Sequence, residues 1–425
     1  MKSERFSECI KTFIIILFFT ICLNKTIYAA ETRYPIPSYD GKELEKVRQW
    51  EKIWVGKKII PANIDGVKEY LPDSLYGILT NPDKWGEYWF DIVPYREIKP
   101  SPGELLMTRK YAGATSIGPD EELINYISGI PFPEPTTALE IAHNFTNLNQ
   151  GDNVNSVQNM KMIDGRARYD RKMVMKSHMI FFSGRREVLP VPEIIPNHKQ
   201  IFRAAHSSYS EPATMRGSRS LSVRFKNRTK PFESYSFSTT TRKTVRRSTA
   251  ERSGTQSGAD MCSDDNMIFD NAISKMRYKF LGRKELLLAR HQDLDLLEKG
   301  HREGYCHYNG FQRERIKTYV LECTHKDPNY VYSKQVWNID PETWWILYAD
   351  KYDRKGKLLR IFENAEYVVK SVYNDSRIGF TGFMLITDVQ RMHSTGAFNN
   401  TILGETNEFF NTDYYTPSAL QEFGY

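Results

Sequence analysis

A chain of 425 residues, 40% hydrophobic and 26% charged, has an ordinary globular balance, which excludes a disordered or fibrous chain and leaves room for one large domain or two small ones. Its net charge of +7 is uneven: Met215–Arg252 carries 11 Lys/Arg against Glu233 and Glu251, and the rest, beyond a basic N-terminus, is mildly acidic. Aromatic residues reach 13%, which a β-rich fold with aromatic faces or an aromatic-lined binding site would explain.

Residues 1–30 read as a secretory signal. Lys2, Arg5 and Lys11 precede the apolar run Phe13–Leu23, too short to span a bilayer, and Ala29 or Ala30 offers the cleavage site. Cys22 follows Ile21, not the small residue that lipidation needs. No other run is long and apolar enough to cross a membrane, so the mature chain is expected to be an exported protein of the periplasm. Residues 31–425 are expected to form one domain, with a helical lead segment over 31–100 and a C-terminal extension over 380–425.

In the lead segment, a helix is expected over Lys42–Trp54, and Asn63 or Asp65 and then Pro72-Asp73 start two more turns. The three Pro of Tyr126–Pro135 exclude a central strand. Ala138–Phe145 is a short helix or strand. Val157–Phe182 is strand-forming. Within it Met173, Met175, Met179 and Phe181 share one face, and Val174, His178, Ile180 and Phe182 share the other. Both faces are largely apolar, so this strand should be buried or roofed. Leu189–Asn197 is Pro-rich and irregular. Ser220–Phe225, Glu233–Thr240, Met276–Leu288 and Arg315–Cys323 read as strands, with Gly282 marking a bulge. Tyr330–Asp340, Trp344–Asp353 and Leu358–Tyr367, joined at Pro341-Glu342 and Asp353–Gly356, form an antiparallel meander.

That meander, YVYSKQVWNIDPETWWILYADKYDRKGKLLR, resembles the C-terminal signature of the bacterial domain-of-unknown-function 1329 family. Tyr332, Lys334, Ile339-Asp340, Trp344, Ile346, Ala349-Asp350, Tyr352-Asp353, Gly356, Leu358 and Arg360 keep the family order. Gln335, Trp337-Asn338 and Leu359 depart from it. The resemblance extends to PANIDGVKEYLPDSLYGILTNPDKWG (Pro61–Gly86), where Ile78 replaces a Leu, to a hairpin in Arg109–Asn125 turning at Gly118-Pro119-Asp120, to YISGIPFPEP, to Gly151-Asp152, to RKTVRR and to MRYKFLGRKELLL. It implies a lipoprotein-sorting (LolA/LolB-like) fold: α+β, one large, strongly curved antiparallel sheet forming a half-open barrel under short helices and Pro-rich loops. It also implies periplasmic residence, and a resistance-nodulation-division type exporter or outer-membrane protein as a handover partner.

The sequence contains no nucleophile elbow, metalloprotease helix, P-loop or dinucleotide fingerprint, so no enzyme and no cofactor is expected. No Cys/His spacing fits zinc. Asp260, Asp264 and Asp265 lack a calcium-loop pattern and read as a solvated loop. Of the three Cys outside the signal, Cys306 and Cys323 are the expected disulfide pair, leaving Cys262 free. The basic segment with its interleaved aromatics would suit nucleic acid, but an exported protein meets anionic lipid or an acidic partner instead. Three readings follow. The first is a carrier or docking protein for a lipid or other hydrophobic molecule, held by Met173, Met175, Met179, Phe181, Trp337, Trp344 and Trp345, with Arg242, Lys243, Arg246 and Arg247 meeting a headgroup or partner. The second is an envelope scaffold with a solid core. The third is a Met-rich copper binder using the Met160–Met179 cluster and His178.

Overall fold

The computed structural model describes residues 34–422, apart from 36, 165–168, 249–253, 255–257 and 301–307. The expected signal peptide and Cys306 lie outside the described residues. Among the described residues, Cys262 and Cys323 are buried and form no disulfide, and the expected Cys306–Cys323 pair lies partly outside those residues.

Seventeen strands are described: β1 (Lys58–Ile59), β2 (Phe90–Ile92), β3 (Ser116–Ile117), β4 (Leu123–Ile124), β5 (Asn153–Asp164), β6 (Tyr169–Phe181), β7 (Ile201–Glu211), β8 (Arg219–Phe225), β9 (Glu233–Ser238), β10 (Lys243–Arg247), β11 (Met276–Ala289), β12 (Phe311–His325), β13 (Lys334–Ile339), β14 (Ile346–Tyr352), β15 (Leu358–Lys370), β16 (Arg377–Asp388) and β17 (His393–Leu403). All but β3 and β4 join one sheet, antiparallel except where β2 runs beside the start of β12. Two consecutive meanders build it. β5 to β10 run in one direction, β11 to β17 in the other, and β17 pairs with β5 from His393↔Asp164 to Leu403↔Val154. Among the described residues the sheet does not close: its order ends at β1 and β10, with β11 a further edge beside β12, so it is a curved, half-open barrel.

The helices are short. α1 (Gly41–Trp54) starts in a capping box between Asp40 and Glu43. α2 (Asp73–Leu79) and α3 (Pro82–Trp85) follow, then α4 (Pro102–Tyr111), α5 (Ala138–Thr146), α6 (Leu294–Gly300) and α7 (Ala419–Glu422). α5 has its own capping box, Thr137 with Glu140. The main hydrophobic cluster lies between one face of the sheet and the lead segment with α5.

β6 divides two cores. Met173 and Met179 face the main cluster. Ile180 and Phe182 face a second one with Leu221, Val223, Tyr414, Tyr415 and Leu420. The apolar pattern on both faces is thus explained: the second face is roofed by the last residues of the chain.

Three expectations change. Residues 380–403 are no extension, because β16 and β17 sit in the middle of the sheet and join its halves. The strand expected from Trp344 starts at Ile346. Trp344 has φ +64° in the turn, where the Trp344 N–H donates to the Asp340 carbonyl. Asp260, Asp264 and Asp265 are fully buried, not solvated. The bulge at Gly282 is present: the β11–β12 register shifts between Phe280 and Gly282, and Gly282 has φ +106°.

Candidate ligand groove

α2 and α3 meet the sheet at β14 and β15 and leave a groove between them. Pro72 precedes α2, and Asn81-Pro82 ends it and starts α3, with Gly86 closing α3 at φ +80°. The short helices are pinned by polar contacts. The Ser74 hydroxyl donates to Asp350 Oδ1 at 2.6 Å and lies 2.7 Å from the Tyr348 hydroxyl. Across the groove, the β14–β15 turn is tied by Asp353, whose Oδ1 accepts from the Lys355 and Lys357 N–H groups. Gln390, after β16, donates to Asp353 Oδ2 and to the Leu358 carbonyl.

The groove measures about 550 Å³, and Asp73, Ser74, Gly77, Ile78, Lys84, Trp85, Lys357, Leu358, Ile361, Val389 and Gln390 line it. Ile78, Trp85 and Ile361 are buried and form its floor. Leu358 and Val389 are half-buried walls, and Lys84 and Lys357 are exposed at the rim beside one acid, Asp73. Lys84 lies over the Trp85 ring at 4.9 Å. Burial pushes the Asp350 carboxyl beneath this site up to about 6, against the Ser74 hydrogen bond. A second open hollow of about 570 Å³ has, among the described residues, Val331 and Leu359 as its apolar lining. The first groove therefore suits a hydrophobic body with a negative end: apolar floor, cationic rim, and a size within the range of small-molecule sites.

The residues singled out in the sequence lie elsewhere. Trp337 is buried among Phe145, Phe269 and Tyr278, with its Nε1–H on Gln335. Trp344 stacks on Tyr319 at 5.6 Å. Trp345 donates to the Gly379 carbonyl and meets Phe380 edge-on. Met173 belongs to the main cluster and faces Met160 on β5. Phe181 packs on Phe202. The Met179 sulfur accepts from Arg203, and Met175 is half-buried. His178 points to the opposite face from Met173, Met175 and Met179 and stacks on Phe409 at 4.3 Å, so it does not join the thioethers. Arg242, Lys243, Arg246 and Arg247 are exposed at the outermost strand, with Arg246 paired to Glu233. Charge at a sheet edge is also what keeps such an edge from pairing with another chain.

The groove's signal was present in the sequence in another form. Pro61–Gly86 and Tyr330–Arg360, the two stretches that carried the strongest family resemblance, supply Ile78, Trp85 and Leu358 and meet across it. Neither stretch is amphipathic enough alone to mark a site.

Among solved structures, the chain is similar to a domain from Vibrio parahaemolyticus described as an outer-membrane lipoprotein-sorting protein. The two are 19% identical with a TM-score of 0.46, over 67% of this chain and 98% of that one. It is also similar to a DUF1329 protein from Desulfovibrio piger (16% identity, TM-score 0.47, 66% and 97% coverage). A LolA-superfamily protein from Nitrosomonas europaea is 14% identical with a TM-score of 0.39, over 66% and 100%. No curated protein matches the chain in sequence. Residues 58–421 match the sequence pattern described as "Protein of unknown function (DUF1329)", and with so much of its length covered the chain belongs to the DUF1329 family.

Proposed function

We propose that this protein is an exported, non-catalytic carrier or docking protein for a hydrophobic molecule with an anionic end, working in the periplasm. The observation that carries the reading is the groove between α2, α3 and the β14–β15 hairpin, apolar on its floor and lysine-rimmed at its mouth. Each methylene buried there contributes about 0.8 kcal/mol, so a short alkyl chain offsets the cost of association without any polar contact. The signal-like N-terminus supports export, and the family resemblance supports handover to an exporter of the resistance-nodulation-division type or to an outer-membrane protein. The scaffold reading draws on one observation, the solid packing around Trp337, Trp344 and Trp345.

The test is solvent extraction and native mass spectrometry of gently purified protein, followed by titration with a fluorescent fatty acid. The carrier reading expects a co-purifying hydrophobe or saturable probe binding. It also expects Gly77→Leu to weaken binding at least tenfold. A Cβ at Gly77 meets nothing within 4 Å, and Leu suits a helix better than Gly by up to about 1 kcal/mol, so the variant fills the groove without unfolding the protein. Protein that is clean on extraction and indifferent to the probe would leave the scaffold reading in place.

A further inference from the structure

A third hollow, bordered by β7 and β8, shares no lining residue with the groove. It is bounded by α5, β7, β8 and the loops after β8 and around Asp270, and its accessible space is about 40 Å³. That is room for about three water molecules, the size of a single oxyanion and far too small for an alkyl chain. Four cations line it, Arg203, Arg224, Arg228 and Lys230, against one carboxylate, Asp270.

The sequence forces this crowding. Arg203 and Arg224 are direct cross-strand partners on β7 and β8, a placement that sets like charges side by side. Asp270 bridges them, at 3.3 Å from Arg203 Nη2 and 2.5 Å from Arg224 Nη2. Among the described residues, no such ion pair serves the third guanidinium. The Arg228 guanidinium carbon sits over the Phe202 ring, 3.3 Å from its centroid, and Nη2 donates to the Thr146 carbonyl and to Asn147 Oδ1. These are neutral acceptors, and they orient Arg228 while supplying no counter-charge; Asp270, already shared by Arg203 and Arg224, offsets its charge only in part. Burial, and then the neighbouring Arg203, push its guanidinium down to about 9. Arg203, Arg224 and Arg228 are half-buried, and positive charge gathered where water is partly excluded is costly unless a counter-charge joins it. A multiply charged tetrahedral anion fits several converging guanidinium forks better than a single carboxylate would.

We propose that this hollow is an oxyanion site that binds a phosphate group, with Arg228 as its principal donor and Lys230 as its outer cation. The phosphate comes from a phospholipid headgroup or from free inorganic phosphate; the chemistry recognised is the same. The site is independent of the hydrophobic groove.

The test is calorimetric titration of the full mature protein with inorganic phosphate and with dihexanoyl phosphatidate below its micelle concentration. Saturable binding of either, weakened at least tenfold by Arg228→Gln and severalfold by Lys230→Gln, supports the site. Lys230 is exposed, so its variant keeps the test valid if Arg228→Gln fails to fold. Phosphatidate at least tenfold tighter than phosphate identifies the lipid headgroup as the source; equal affinities identify free phosphate. Gly77→Leu leaves phosphate binding at the wild-type level, which separates this site from the groove. Absence of saturable binding by the wild type, or binding that neither charge variant weakens, overturns the proposal.

Discussion

Asp265 shows how strongly single side chains are committed in this chain. Its carboxylate is fully buried and accepts from Lys351 Nζ at 2.5 Å, the Tyr332 hydroxyl at 2.6 Å and the Cys262 N–H at 2.8 Å, with Arg360 Nη1 at 3.5 Å. Burial alone would raise its pKa, but Lys351 and Arg360 outweigh that and hold it below the usual carboxylate range. Asp265→Ala takes the acid from buried Lys351 and leaves Arg360 only its longer pairing with Asp388 at 3.7 Å, and should cost about 3–5 kcal/mol in urea unfolding. Asp350 is the opposite case. Its carboxyl is raised to about 6, so below about 4 the folded and unfolded chains hold the proton alike, and between about 4 and 6 only the folded one keeps it. Its contribution is therefore favourable at low pH and lost as pH rises to about 6. Asp350→Asn should gain about 1–2 kcal/mol relative to the wild type between pH 4 and 6.5, seen in urea midpoints across that range. A gap that does not change with pH would count against the raised carboxyl. Tyr332, Asp350 and Arg360 stood out in the sequence through the family resemblance. Asp265 read as part of a solvated acidic loop, because its side-chain partners arrive from 67 to 95 residues away and no local pattern announces them.

Among the elements, β6 was readable and its roof was not. Alternation told that both of its faces needed cover. The cover comes from two short turns, Glu408–Phe410 and Thr412–Tyr415, and α7, whose sequence has no strong period. Under this roof His178 and His206 face each other across β6 and β7, and the His206 ring lies 4.3 Å from that of Tyr414. Both His206 ring nitrogens are buried, and neither has a hydrogen-bond partner among the described residues. Burial, then His178 and Arg219, push His206 down to about 4, and burial lowers His178 as well, while Glu405 and Glu408 oppose the shift there. A histidine kept neutral in the fold contributes its full stability above about pH 6.5 and loses it as pH falls towards 4, where only the unfolded or undocked form takes the proton. The C-terminal roof should therefore loosen on acidification from pH 6.5 to 4.5, with amide exchange in residues 408–422 rising at least tenfold beyond the chemical pH effect. His206→Gln should flatten that dependence. Exchange there that follows the chemical rate alone in both proteins would refute the coupling. β16 and β17 give only a weak strand signal in the sequence for a related reason. Their Gly379, Gly382 and Gly396 dilute the strand signal, yet they are needed by neighbours: a Cβ on Gly396 would come within 2.6 Å of the Tyr308 hydroxyl.

At the scale of the molecule, the topology makes one strand pairing decisive. Among the described residues, the two meanders are joined in the sheet through β17 and β5. The main cluster runs across that seam, from Met160 and Met173 on one side to Phe383, Ala397 and Phe398 on the other. The seam should thus couple the two halves into one unfolding unit. The chain supplies its own reporter: all seven tryptophans, Trp50, Trp54, Trp85, Trp89, Trp337, Trp344 and Trp345, lie in the lead segment and the second meander, and none lies in β5 to β10. Fluorescence therefore follows one half, whereas far-UV ellipticity follows both. In the wild type the two urea transitions should coincide. Gly396→Val drives a side chain into Tyr308, which is fully buried and held between Phe383 and Phe398 at 4.6 and 5.6 Å, so it cannot step aside. Overpacking there should cost about 1–3 kcal/mol and, because the strain falls on the joint itself, pull the two transitions apart. Wild-type transitions that already separate would mean that each meander holds its own fold, with the β17–β5 ladder docking them afterwards.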